Sequence, residues 1–66
     1  MPKMKAEELR NLSKEELERR LRELREQLFS LNTKSALGTL EKTHMRKEIR
    51  REIARILTVM RERGFL

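Results

Sequence analysis

Two apolar stripes with helical spacing constrain the fold of this chain more than any other feature. In the first half, leucines recur at steps of four, three, four and three residues, which is the spacing of one face of an α-helix. A second apolar stripe, at steps of three and four residues, runs through the second half. The stripes consist of Leu17, Leu21, Leu24, Leu28 and Leu31, and of Met45, Ile49, Ile53, Ile56 and Met60.

The two stripes are mirror images about the segment that contains Gly38. Leu17 and Met60 lie equally far from this segment along the chain, and so do Leu28 and Ile49. Two antiparallel helices joined by one turn bring residues related in this way into contact, with a shallow crossing angle. Gly38 is the best position in the turn for a backbone conformation that a side chain would disfavour. We therefore predict Gly38 to be the structural turn residue.

These patterns predict an all-α fold, an antiparallel two-helix hairpin formed by a single domain over residues 1–66. The long helices are expected at about residues 13–36 and 42–63. A cluster of Asn, Thr, Ser and Gly weakens helix propensity between them, so the turn is expected near residues 37–42. A short N-terminal helix over residues 4–11 is expected to precede the hairpin.

Local signals mark two of the helix ends. Glu16 follows Ser13 by three residues, which is the spacing of a reciprocal capping box at a helix N-terminus. Leu12 and Leu17 occupy the positions of the accompanying hydrophobic staple. Gly64 is expected to stop the second long helix in a C-terminal capping position.

Composition excludes several classes of protein. Hydrophobic residues make up 36% of the 66 residues and charged residues 42%, so little apolar surface is available for a core, and an enzyme with a roomy pocket and a cofactor is not expected. The chain contains no cysteine, which excludes disulfides and thiolate metal sites and suits the cytoplasm. The start has no apolar core of a secretory signal, and no apolar run could span a membrane.

The positive charge lies mainly in the second half of the chain. The net charge is +6, and residues 34–66 carry nine basic against four acidic side chains. Such a balance favours association with nucleic acid or another polyanion. Lys34, Lys42 and His44 could add contacts at the turn, although a lone histidine there is more often simply solvated than a metal ligand.

The outer face of the second long helix combines arginines with small side chains. On a helix that advances about 100° per residue, Ala54 and Thr58 keep the centre of this face low, so a polyanion could approach the backbone while arginines donate paired hydrogen bonds to phosphates. Phe29 reads as a packing residue, so the stacking of unpaired bases has little support, and the shape of folded RNA is the expected target. The predicted outer face consists of Lys47, Arg50, Arg51, Ala54, Arg55, Thr58 and Arg61.

Three stretches of the chain resemble the bacterial-type large-subunit ribosomal protein twenty-nine family. They are "MKAEELRNLSKEEL" (4–17), "LREQLFSL" (24–31) and "ALGTLEKTHMRKEIRREIARILTVMRER" (36–63), of which "RREIARILTV" after "GTLE" is the most specific part. The resemblance implies a structural component of the large ribosomal subunit that is bound to large-subunit ribosomal RNA near the rim of the polypeptide exit tunnel. It also implies ribosomal protein twenty-three as a neighbour, and indirect involvement with factors that meet nascent chains.

The family run at residues 50–59 matches this chain at Arg50, Arg51, Arg55 and Thr58, which agrees with the outer face derived from helical spacing. Outside the ribosome we expect a monomer. The full predicted set of RNA-binding residues is Lys34, Lys42, Arg46, Lys47, Arg50, Arg51, Arg55, Thr58 and Arg61.

Two other classes of protein are compatible with parts of the sequence. The leucine spacing from Leu17 to Leu31 is also that of a coiled-coil seam, so the chain could be a self-associating helical module that binds no ribosomal RNA. A small helical enzyme that holds an anionic substrate with arginines is the third class. It would require a longer chain and a polar pocket inside a helical assembly.

Overall fold

The fold is an all-α hairpin with a short leading helix, as the sequence predicts. The computed structural model describes residues 6–34 and 36–66, except for the side chain of Lys34. The second and third helices form the hairpin, and the first packs against the third; Met4 and Lys5, at the predicted start of the first helix, lie outside the described residues. The helices are α1 (Ala6–Arg10), α2 (Lys14–Lys34) and α3 (Thr39–Glu62).

The turn is shorter than expected, because α3 begins at Thr39 rather than near residue 42. Gly38 is the N-cap of α3, with φ of −69° and ψ of 167°, so the prediction of a conformation that disfavours a side chain is wrong at this position. A Cβ atom at Gly38 would lie 2.6 Å from Oε2 of Glu41, and that oxygen ends a flexible side chain that can move away. The turn therefore tolerates a small residue in place of this glycine.

Ser13 and Gly64 cap the two helix ends as predicted, but the capping box differs in its second bond, in which the Glu16 carboxylate accepts from the Ser13 hydroxyl and not from the Ser13 backbone N–H. The backbone N–H of Glu16 donates to Oγ of Ser13 over 3.2 Å, and the Ser13 hydroxyl donates to the Glu16 carboxylate over 3.3 Å. At the end of α3, Gly64 has φ of 74°, and the N–H of Phe65 donates to the carbonyl of Met60 over 2.8 Å. This bond belongs to a Schellman motif, in which glycine takes the left-handed position.

The two apolar stripes meet as predicted, with two differences in α3. Met45 was expected to face inward, but 41% of its surface is exposed, and Val59, outside the predicted stripe, is only 1% exposed. The burial of Val59 agrees with the packing of α1 against α3, since Leu9 of α1 belongs to the same core cluster. The core consists of Leu9, Leu17, Leu21, Leu24, Leu31, Ile49, Ile56, Val59 and Met60.

The first helix is fixed to the open end of the hairpin. Nε of Arg10 donates to Oε1 of Glu62 over 3.2 Å, and the Arg63 guanidinium donates to the carbonyl of Leu12. Leu12 and Phe65 are both partly buried against the core. Because α1 lies at this end, it covers one side of the hairpin there and leaves the opposite side open.

Candidate nucleic-acid interface

The acidic residues of α3 all lie on one side of the helix. At about 100° per residue, they fall within an arc of roughly 80°. Helix α1 packs on this side, because Leu9 lines one small cavity together with Glu52 and Arg55, and Arg10 bonds Glu62. We call this side the acidic flank, and it consists of Glu41, Glu48, Glu52 and Glu62.

The basic residues of α3 lie mainly on the other side, which α1 does not cover. This side spans an arc of roughly 140° at 100° per residue, and no acidic residue of α3 falls within it. At its margin, Nη1 of Arg51 lies 3.6 Å from Oε1 of Glu48, so one of its arginines is partly neutralised. We call this side the basic flank, and it consists of Arg46, Lys47, Arg50, Arg51, Ala54, Thr58 and Arg61.

The centre of the basic flank is low, as predicted. Ala54 is exposed, and the Thr58 hydroxyl donates to the Ala54 carbonyl over 2.8 Å. The hydroxyl proton of Thr58 is therefore used in a bond within the helix and is not directed toward a ligand. Exposed Arg50 and Arg61 stand on either side of this low surface along the helix, so an extended polyanion could approach the backbone between them.

Arg55 does not share the open face on which helical spacing placed it. Its side chain lies on the side of α1, where it lines the small cavity with Leu9 and Ile56. Nη1 of Arg55 is buried and has no hydrogen-bond partner among the residues that the structure describes. The structure thus separates Arg55 from Arg50, although the two belong to the same sequence run.

The residues near the turn that were predicted to contact RNA differ in their burial and in their hydrogen bonds. Arg46 is partly buried, and its Nε donates to Oδ1 of Asn32 in α2 over 2.8 Å, which joins the two long helices on the side opposite α1. Lys42 is partly buried and His44 is exposed. The side chain of Lys34 lies outside the described part of the chain.

A stripe on α2 that borders the basic flank was not predicted from the sequence. Arg22, Arg25, Phe29 and Asn32 follow one another at steps of three, four and three residues, so they share one side of the helix. The bond from Asn32 to Arg46 places this stripe next to the basic flank. Phe29, expected to be a packing residue, is 69% exposed. The helical spacing of these four residues was the signal that could have revealed the stripe.

The described residues form neither a metal site nor a membrane-spanning helix. No group of three or more potential ligands in these segments could hold a metal ion. Within the same segments, no helix is both long and apolar enough to cross a membrane. The charged surface made by α2 and α3 is the candidate site, because the bond between Asn32 and Arg46 joins the exposed arginines of the two helices into one surface.

Comparison with known proteins identifies the family. The model of the family described as ribosomal L29 protein matches residues 7–63. The chain is 54% identical to the large ribosomal subunit protein uL29 of Cutibacterium acnes over 64 residues, which cover 97% of this chain and 83% of that protein. It is 52% identical to the uL29 protein of Rubrobacter xylanophilus over 63 residues, 96% of this chain and 94% of that protein. No solved structure matches the chain.

The hairpin is thus one of the structural proteins of the ribosome, and it is not an enzyme. The chain belongs to the ribosomal L29 protein family. As a member of that family it is a constituent of the large ribosomal subunit and takes part in translation in the cytoplasm.

Proposed function

We propose that the chain binds large-subunit ribosomal RNA through the basic flank of α3. The observation that carries this proposal is the separation of charge around α3, where α1 covers part of the acidic flank and leaves the basic flank open. A flank with exposed Lys47, Arg50 and Arg61 and no carboxylate of its own helix has a positive potential that attracts phosphates. The arginine forks can donate two bonds to one phosphate.

Within the large subunit, the proposed location is near the rim of the polypeptide exit tunnel. The family resemblance supports this location, with ribosomal protein twenty-three as the neighbour and nascent-chain factors as further contacts. The proposed docking leaves the acidic flank, with α1 on it, turned away from the RNA. That side would then face protein or solvent.

The self-associating module has no support from the structure. Its zipper would use the leucine seam of α2, but Leu17 is 0% exposed and Leu24 is 5% exposed. The chain buries this seam against its own α3, which leaves no leucine row for a second copy. We accordingly propose a monomer outside the ribosome.

The salt dependence of binding tests the proposed function. We expect full-length large-subunit ribosomal RNA, folded with magnesium, to bind the purified chain with an affinity that falls roughly 40- to 500-fold between about 50 and about 200 mM monovalent salt, because about three to five neutralised phosphates release counterions. Filter binding or fluorescence anisotropy measures this slope. Binding that is absent, or that does not change with salt, would contradict the proposal.

A further inference from the structure

We propose that Phe29 stacks on an unpaired base of the bound RNA, with arginines on both sides of the ring holding the neighbouring phosphates. This inference rests on the proposed function and adds a subsite on α2 to the contacts of α3. The stacking also requires that the RNA bound at Phe29 contain a nucleotide outside a regular double helix.

The first observation is the exposure of Phe29 in a charged surrounding. A single exposed apolar side chain is common on protein surfaces and needs no explanation by itself. Phe29 is, however, 69% exposed in a stripe whose two preceding members are Arg22 and Arg25. Both arginines are exposed, and neither forms a salt bridge with any other described residue.

The second observation is the Arg46 guanidinium of α3, which a hydrogen bond to α2 holds in place next to the stripe. Nε of Arg46 is held 2.8 Å from Oδ1 of Asn32, one helical turn beyond Phe29. A guanidinium has five N–H donors, so this bond leaves the two terminal nitrogens of Arg46 able to donate to a phosphate. The Thr33 hydroxyl bonds back to the Phe29 carbonyl over 3.1 Å and so is directed at the backbone.

This arrangement fits RNA better than an apolar protein neighbour. An aromatic ring between cationic side chains is the usual platform for unpaired nucleotides, because every base has a face that can stack while its phosphates meet the cations. A continuous A-form duplex offers no such face, since its bases are stacked on one another. An apolar protein segment on Phe29 would instead have to bury Arg25 or Arg46 without phosphate partners.

Two variants test the stacking. Phe29→Leu should weaken binding to full-length large-subunit ribosomal RNA roughly 5- to 150-fold, the value of one base–aromatic stack, while Phe29→Tyr should retain the affinity. Leu66→Ala is the control, because Leu66 is an apolar residue with a similar exposure of 68% and lies beyond the end of α3, outside the stripe and the basic flank. The chain has no tryptophan, so Phe29→Trp provides a single fluorophore whose emission a stacked base should quench.

The outcomes distinguish this inference from the proposed function. If the unaltered chain binds RNA with the expected salt slope, but Phe29→Leu binds as tightly and Phe29→Trp is not quenched, the stacking is refuted and the basic flank stands. If the same variant binds RNA normally but is lost from large subunits during a salt wash, Phe29 contacts a protein, and the stacking is equally refuted. If the unaltered chain binds no RNA, both proposals fail.

Discussion

Replacing Arg50 and Arg61 together with glutamate should lower the affinity for large-subunit ribosomal RNA by roughly 10²- to 10⁴-fold. Each change removes a charge-assisted contact worth about 1.5 to 3 kcal/mol and adds a charge that repels phosphate. Both side chains are exposed on the basic flank, so the helical circular dichroism of the double variant should equal that of the unaltered chain. Arg55 is unsuited to this test, because its partly buried side chain packs beside α1.

A second double variant controls for net charge. Arg10→Glu with Arg19→Glu makes the same charge change on exposed side chains away from the basic flank. It loses the surface ion pair of Arg10 with Glu62 and that of Arg19 with Glu23, each worth about 0 to 1 kcal/mol. We expect this control to retain most of the RNA affinity. Equal losses in the two double variants would mean that overall charge, and not the basic flank, determines binding.

The second large effect concerns the core. Ile56→Asp should unfold the hairpin, because Ile56 is 1% exposed at the place where α1, α2 and α3 meet. Losing a buried side chain of this size and burying a carboxylate together cost about 5 kcal/mol or more. A chain of this length is stabilised by roughly 3 to 10 kcal/mol in total. Thermal melts followed by circular dichroism at 222 nm measure the effect.

Ala54→Asp is the matched control for that variant. It introduces the same side chain into the same helix, two residues away, at an exposed position. We expect its melting temperature to fall by only a few degrees, from the lower helix propensity of aspartate. Similar melting of the two variants would show that Ile56 does not lie in the core.

The hairpin was predictable because its determinants are local or strictly periodic. The leucine spacing defines the buried side of α2, and the mirrored stripe in α3 defines which residues face it. The capping box at Ser13 and the glycine at position 64 depend only on neighbours along the chain. Such signals do not depend on how the helices pack against one another.

The side on which α1 packs was not predictable in the same way. Helical periodicity locates the centre of a buried stripe, but it does not show which flank a third, five-residue helix will cover. Leu9 and Val59 are both buried in the core, whereas Met45, near the turn, is exposed, so the core is displaced toward the open end of the hairpin. Because α1 packs on this flank, Arg55 lies beside Leu9 and is not part of the open surface.

Part of the candidate site was also missed for a physical reason. The charges of α2 nearly balance in number, with six basic and five acidic side chains, so the count alone does not indicate a basic surface on this helix. The distribution around the helix is uneven, however, because Arg19 pairs with Glu23 over 3.8 Å while Arg22 and Arg25 lie in the stripe with Phe29. Only the bond between Asn32 and Arg46 shows that this stripe and the basic flank form one surface.

The most direct test of the RNA interface is to map protein–RNA crosslinks in intact large ribosomal subunits by mass spectrometry. If the basic flank faces the RNA, nucleotides will be attached at Lys47, Arg50 or Arg61. The opposite side, represented by Arg10 of α1 and Arg20 of α2, will carry few or none. Crosslinks concentrated at Arg10 and Arg20, with the basic flank unmodified, would contradict the proposed interface.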